Sequence, residues 1–233
     1  MVDHHKRLYE QKPEYYYDGN NPYLLKRIKP DASCVLDVGC AKGNLGSVLR
    51  TRGITVYGIE LFPEAAQEAE KKLDHVLCGD IETIELPYEQ GSFDHIIFGD
   101  VLEHLIDPWA VLRKVKPFLK KNGSIIACIP NIAHISILHD LLLGKWTYME
   151  WGLLDQTHLR FFTLTEIYKM FQITGYYITD LERIVYPNPQ MDPLIHWLDH
   201  IRSSLLKDNP SFAVEANAFQ YVVEAIINGE YSG

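Results

Sequence analysis

Between residues 34 and 130 short apolar runs alternate with stretches of helical pattern, and this alternation limits what the chain can become. The apolar runs fall at 34–39, 54–60, 75–78, 93–99 and 124–130, and helices are expected at 44–52, 63–72 and 108–120. In the fourth run Ile96, Ile97 and Phe98 are consecutive, which suits a strand covered on both faces. Strands and helices alternating at this spacing predict a mainly parallel sheet with helices on both sides, and right-handed crossovers make it a doubly wound α/β fold. After Pro130 the rhythm changes. A helix is expected at 131–144, an aromatic irregular stretch at 145–162, and a helix at 163–174 capped by Thr163 or Thr165. Strands at 176–186 and 218–227 would add an antiparallel edge, for seven strands in all. A helix at 193–206 lies between them. The expected organisation is an N-terminal helical and aromatic lid at 1–30, with a helix at 22–28, and one domain at 31–233. That domain carries an insertion at 131–162 and a helical insertion at 187–216.

Charge and composition exclude several classes. The formal net charge is −9, which argues against nucleic acid as the main partner. No apolar run approaches the ~18 residues of a membrane span, so no stable membrane insertion is expected. The first residues lack the apolar stretch of a secretion signal. Cys34, Cys40, Cys78 and Cys128 are scattered without a C-x-x-C pair and read as reduced, mostly buried thiols. A cytoplasmic protein, monomeric or homodimeric, fits these features.

The first informative motif joins strand to helix: Asp37-Val38-Gly39-Cys40-Ala41-Lys42-Gly43. Glycine there permits a sharp turn and a close approach to a ligand. Glu60 ends the next strand about twenty residues on, where a carboxylate reaches a ribose diol. The dinucleotide fingerprint is broken, because its three glycine positions hold Gly39, Ala41 and Asn44. Asp37 before the turn would repel a nearby pyrophosphate and suits a cationic ligand group.

Together with Cys78-Gly79-Asp80-Ile81 and the run from Phe93 through Gly99-Asp100-Val101-Leu102-Glu103-His104, these stretches resemble the ordered motifs of class I S-adenosylmethionine-dependent methyltransferases. The resemblance covers roughly 31–175. Val101-Leu102-Glu103-His104-Leu105 and Thr157-His158-Leu159-Arg160-Phe161-Phe162-Thr163 are similar to small-molecule O-methyltransferases of the ubiquinone-biosynthesis type. The resemblance implies a Rossmann-like methyltransferase fold and S-adenosylmethionine as cofactor, with S-adenosylhomocysteine as product. It assigns Asp37, Gly39, Cys40 and Gly43 to the methionine part. Glu60 is assigned to the ribose, with Leu61 beside the adenine. Asp80 and Ile81 would hold the adenine, and Gly99, Asp100 and Val101 the strand end beneath the cofactor. Ala41 departs from the pattern, since the family usually has a second glycine there.

The expected reaction is methyl transfer to a small-molecule acceptor, with oxygen as the nucleophile. An acceptor hydroxyl benefits from a general base, for which His104 and His158 are the candidates. Each is equally open to a structural role. Tyr16, Asn131, Arg160 and Phe162 are candidate acceptor-binding residues. His134, Trp146, Tyr148 and Trp151 share their region, and Arg160 would meet an acidic group. No metal ligand is assigned. The Leu-Glu-His context resembles the metal-free branch, and His196 and His200, four apart on one helix, have no apparent third partner. Two other readings stay open: a nicotinamide-dependent oxidoreductase, and a protein that binds the cofactor without turnover.

Overall fold

Alternate side chains of the central strands divide between two apolar layers. Val35, Ile97, Ile126 and Val222 pack on one side with Leu24, Leu45 and Leu49. Their neighbours Leu36, Ile96, Ile125 and Val223 pack on the other with Leu112, Ile167 and Phe171. A strand's period of two thus fills both faces. The computed structural model describes residues 8, 9, 12, 21–205 and 212–229.

Seven strands form one sheet: β1 (Cys34–Val38), β2 (Thr55–Glu60), β3 (His75–Cys78), β4 (Phe93–Gly99), β5 (Leu119–Pro130), β6 (Tyr176–Val185) and β7 (Ala218–Ile227). Their spatial order is β3-β2-β1-β4-β5-β7-β6. The first five are parallel, and β7 runs antiparallel to both β5 and β6. The chain winds outward from β1 to β3 and then crosses back to β4. The carboxyl ends of β1 and β4 therefore flank the switch point where such sheets bind ligands.

Around the sheet lie α1 (Pro22–Leu25), α2 (Asn44–Thr51), α3 (Pro63–Glu70), α4 (Pro108–Val115), α5 (Ile135–Leu142), α6 (Leu164–Ile173), α7 (Asp192–Leu205) and α8 (Phe212–Asn217). Local chemistry sets their ends. Asp107 caps α4 by accepting from the Ala110 N–H at 2.9 Å, with Pro108 in the first turn. The helix expected at 108–120 stops at Val115, because Pro117 has no N–H to continue it. A 3₁₀ turn follows, and β5 begins at Leu119 rather than 124. Its register against β4 shifts between Phe93 and His95, and Asn122 in the added stretch has φ +68°. The helix expected at 131–144 begins only at Ile135, where His134 caps it. The helix expected at 22–28 is a single turn. Of the cysteines, Cys40 and Cys128 are buried, Cys34 is half-buried and Cys78 is exposed; all four are free.

One polar network crosses the sheet. His95 is fully buried on β4. Its Nε2 accepts from the Lys29 N–H at 3.2 Å, so Nδ1 carries the proton and donates to Ser124 Oγ at 2.8 Å. Ser124 in turn donates to Glu224 at 2.8 Å. Burial, aided by the Lys29 charge, pushes the His95 imidazole down to about 4. The folded protein thus binds fewer protons at this site than the unfolded chain between about pH 6.5 and 4. The stability from a neutral His95 is complete above 6.5 and is lost as pH falls through that window. The urea midpoints of wild type and His95→Asn are expected to converge over this range. The gap in unfolding free energy should close by up to ~1.4 kcal/mol per pH unit. A gap that stays constant from pH 7 to 4.5 would contradict a neutral buried imidazole.

Candidate active site

The turn after β1 is built before any ligand enters it. Gly39, Ala41 and Gly43 have φ of +71°, +47° and +74°. A Cβ on Gly39 would stand 2.6 Å from Val101 Cγ2, and one on Gly43 would press on the Ala69 backbone of α3 at 3.1 Å. Gly39 and Cys40 donate their N–H groups to the Ile59 carbonyl at 2.8 and 3.1 Å. Ala41 donates to Glu60 Oε2 at 2.8 Å, and Phe62 donates to Glu60 Oε1 at 3.0 Å. The Glu60 carboxylate is therefore fixed, with acceptor capacity left on each oxygen.

A cleft of about 1000 Å³ opens over the carboxyl ends of β1, β2 and β4. Asp37, Gly39, Cys40, Glu60, Leu61 and Ala41 line one part of it. Asp80, Ile81, Gly99, Asp100, Val101 and His104 line the rest. Gly43 is not on this wall, and its lack of a side chain serves the contact with α3. Burial, with the Glu60 carboxylate nearby, pushes Asp37 up to about 7. Burial also raises Glu60 against the pull of its backbone donors. Two close carboxylates in a cleft, one of them half-titrated at neutrality, fit a nucleoside bearing cationic groups. S-Adenosylmethionine has both features, a ribose diol and positive charge at its sulfonium and amino groups.

A second, smaller cavity of about 140 Å³ adjoins the cleft, sharing Asp100 and His104 with it. His158, Glu103, Trp151, Leu153, Phe219 and Gln220 are among its walls. Between the two spaces the side chains are unusual. His104 Nδ1 lies 3.1 Å from the Thr157 carbonyl, and His158 Nδ1 lies 3.2 Å from the Leu153 carbonyl. A carbonyl only accepts, so each ring carries its proton on Nδ1 and leaves the Nε2 lone pair open. The rings meet edge to face, with centroids 4.7 Å apart. His158 Nε2 is 4.0 Å from Glu103 Oε1. Glu103 is 1% exposed, and neither carboxylate oxygen has a hydrogen-bond partner. One ligand atom from each of Glu103, His104 and His158 lies within 4.8 Å of the others. Tetrahedral donors on one ion at about 2.1 Å stand ~3.4 Å apart, so the three side chains would have to draw in by up to about an ångström to close on an ion. Burial, with Asp100 beside it, holds the Glu103 carboxyl well above the carboxylate range. Burial and the neighbouring His158 push His104 down to about 3.

The other acceptor-side candidates are placed differently. The Asn131 amide donates to the Glu215 and Ala218 carbonyls at 2.9 and 2.8 Å and accepts from the Ala133 N–H at 2.9 Å. It is fully engaged in joining β5 to α8 and β7, and it lines neither cavity. Phe162 is core, 3% exposed, with its ring tilted against Trp109. Arg160 lines the cleft, but its guanidinium donates to the Ile106 carbonyl, Nε at 3.1 Å. His134 caps α5 and packs on Phe219. Of the aromatics at 146–151, Trp151 reaches the second cavity. Tyr16 lies outside the described residues, as do its tyrosine neighbours. Glu103 was given no role by its position in the sequence; an acid next to a histidine at a strand end was the available signal. Tyr9, against His104 at 5.6 Å and Phe62 at 5.2 Å, carried no signal at all.

With this geometry in hand, the likenesses to known proteins are consistent. A family model described as a methyltransferase domain matches residues 9–181. The chain belongs to that methyltransferase family, whose cofactor is S-adenosylmethionine. A ubiquinone biosynthesis O-methyltransferase of Xanthomonas axonopodis pv. citri is 35% identical over 114 residues, 47% of this chain and 48% of that protein. An uncharacterized methyltransferase of Anoxybacillus flavithermus is 30% identical over 112 residues, 47% of this chain and 53% of the other. The chain spans about half the length of the curated relatives it matches. A SAM dependent methyltransferase structure from Archaeoglobus fulgidus aligns with a TM-score of 0.59 at 16% identity, over 88% of each chain. The [4+2]-cyclase SpnF aligns with a TM-score of 0.58 at 18% identity, over 89% of this chain and 80% of that one. These two likenesses show the fold alone. Among the described residues no helix is long and apolar enough to cross a membrane.

Two outcomes are expected. A cationic cofactor needs Asp37 ionised, so binding of S-adenosylhomocysteine, measured by calorimetry, should weaken about tenfold from pH 8 to pH 6. Asp37→Asn should bind weakly with a flat profile; an unchanged pH dependence in that variant would remove Asp37 from the cofactor's amine. Ala41→Gly should raise unfolding free energy by about 1 kcal/mol, because alanine holds a left-handed φ at a cost glycine avoids. Urea melts of the two forms decide it.

Proposed function

We propose that the protein transfers a methyl group from S-adenosylmethionine to an oxygen of a small, hydroxylated acceptor seated in the second cavity. Glu103, His104 and His158 would hold a divalent cation at the edge of that cavity. The observation that carries the reading is the gathering of one donor atom each from His104 and His158 within 4.8 Å of a buried carboxylate that has no hydrogen-bond partner among the described residues. This cluster stands where the cofactor cleft meets a smaller space. The O-methyltransferase name of the Xanthomonas relative supports oxygen as the acceptor atom.

The cofactor supplies a methyl group already activated by its sulfonium. The chain's own residues do the rest. Asp37 and Glu60 match its positive charge and its ribose. Leu61 and Ile81 offer apolar walls, and Asp80 a polar contact, to the base. Proximity and exclusion of water at the junction of the two spaces supply most of the acceleration. Among the acceptor's needs is loss of a proton, and here the histidines matter. An imidazole pushed down to about 3 is a weak general base, which favours a ligand role for His104 over proton abstraction. Two imidazoles and a carboxylate are a borderline donor set suited to manganese, iron or zinc. A cation there would lower the pKa of an adjacent hydroxyl, whose proton would pass to solvent as the methyl group is transferred and neutral S-adenosylhomocysteine is left. The second cavity, about 140 Å³, is near the size that admits one six-membered ring. Its acidic lining disfavours an anionic acceptor, and Arg160 donates elsewhere.

The test is methyl transfer from labelled cofactor to hydroxylated single-ring acceptors before and after chelation. Activity should fall at least tenfold after removal of divalent ions and return with manganese or zinc. Glu103→Gln should lose roughly 10²-fold or more, as removal of a metal ligand does. Undiminished turnover after exhaustive chelation, with loss in His158→Ala, would restore the metal-free histidine base.

A further inference from the structure

We infer that Lys12 and Asp155 are positioning residues: a buried ion pair between the start of the chain and the 153–158 loop sets the orientation of both active-site imidazoles. This rests on the proposed use of His104 and His158, but its structural core is independent of which chemistry they perform.

The two carbonyls that fix the imidazole tautomers, Leu153 and Thr157, belong to one short loop. Asp155 sits at its centre. Asp155 Oδ1 accepts from the Thr157 N–H at 2.8 Å and from Thr157 Oγ1 at 2.7 Å, which aims the Thr157 carbonyl at His104. Asp155 Oδ2 accepts from Lys12 Nζ, which also donates to the Glu150 carbonyl at the other side of the loop. Both side chains of the pair are almost wholly buried, at 1% and 3% exposure. Lys12 is 143 residues from its partner in sequence. Its N–H donates to the Tyr9 carbonyl at 3.0 Å, and the Tyr9 ring lies on His104 with centroids 5.6 Å apart. The beginning of the chain therefore grips both the loop that orients the rings and one of the rings themselves.

A buried pair like this adds little net stability over an apolar replacement. Breaking half of it leaves an uncompensated charge, which the loop must move to hydrate. Such movement withdraws the two carbonyls. The imidazoles would then lose a single tautomer, and the Nε2 lone pairs would no longer converge.

The experiment is long-range ¹⁵N–¹H spectroscopy of the full-length protein labelled in histidine, with His104 and His158 assigned from His104→Gln and His158→Gln. Wild type should show both rings as the Nδ1–H tautomer. Lys12→Met should convert at least one to a tautomer mixture and lower kcat about tenfold, the scale of an outer-shell loss. The KM for the cofactor should change less than about twofold, since Lys12 is not on the cleft wall. Lys12→Arg should restore the wild-type spectrum and most of kcat. If Lys12→Met does not fold, Lys12→Met/Asp155→Asn removes both charges and takes its place in the spectra. Unchanged tautomers in whichever variant folds, with only a lowered Tm, would reduce the pair to a structural tie and overturn the inference. If no acceptor is ever methylated, the spectra still decide the positioning role, and the failure belongs to the proposed reaction alone.

Discussion

The turn between β1 and α2 is the constraint on which the rest of the molecule depends. Three of its five residues from 39 to 43 occupy the left-handed region, one of them an alanine. That conformation costs a residue with a Cβ about 1–2 kcal/mol, so something must hold it. The end of β2 does so, through the Ile59 carbonyl and the Glu60 carboxylate. The parallel register that sets Val38 beside Ile59 thereby also sets Glu60 over the turn. The carboxylate that braces the backbone also lines the cleft, so fold and cleft share one set of hydrogen bonds.

The second half of the site follows a different logic. Around Glu103 the chain buries polar groups without satisfying them, which costs stability wherever nothing binds. Asp100 nearby holds φ +56°, a strained conformation for a residue with a side chain, while Gln220 donates to its carboxylate. Strain and unmet polarity gathered at one place, where two of the three unpartnered buried side-chain atoms among the described residues lie, mark where local consistency gives way. The fold bears this because two full apolar layers lie beneath it. That the same fold occurs in a [4+2]-cyclase is a reminder that the scaffold does not choose the reaction; the groups at its upper edge do.

Much of the architecture was legible from residue pattern. Four of the five parallel strands announced themselves because buried strands of a doubly wound sheet read as continuous apolar runs, whereas β3, at the edge of the sheet, has no buried residue. The ends of α4 and the start of β5 were less legible. Lys120, Lys121 and Asn122 look like the solvated tail of a helix, yet they lie in an extended, exposed part of β5 that the register against β4 skips. The order of the last strands was equally hidden, since β7 inserts between β5 and β6 and only tertiary pairing says so.

The lining of the large cleft was readable because its residues sit at fixed distances from strand ends, and register carries them into place. Asp37, Glu60, Asp80 and Asp100 all reach the cleft in this way. The acceptor half was not readable by the same means. Asn131 and Phe162 look like pocket residues in sequence, but the packing of α8 and β7 absorbs them into the core. Sequence alone determined the sheet, the glycine turn and the acid at the end of β2, because each depends on neighbours a few residues or one strand away. Only the tertiary structure decided that Glu103, His104 and His158 share one point, and that Lys12 sits behind them. Those contacts join segments far apart in the chain, and no local periodicity records where a loop will fold back.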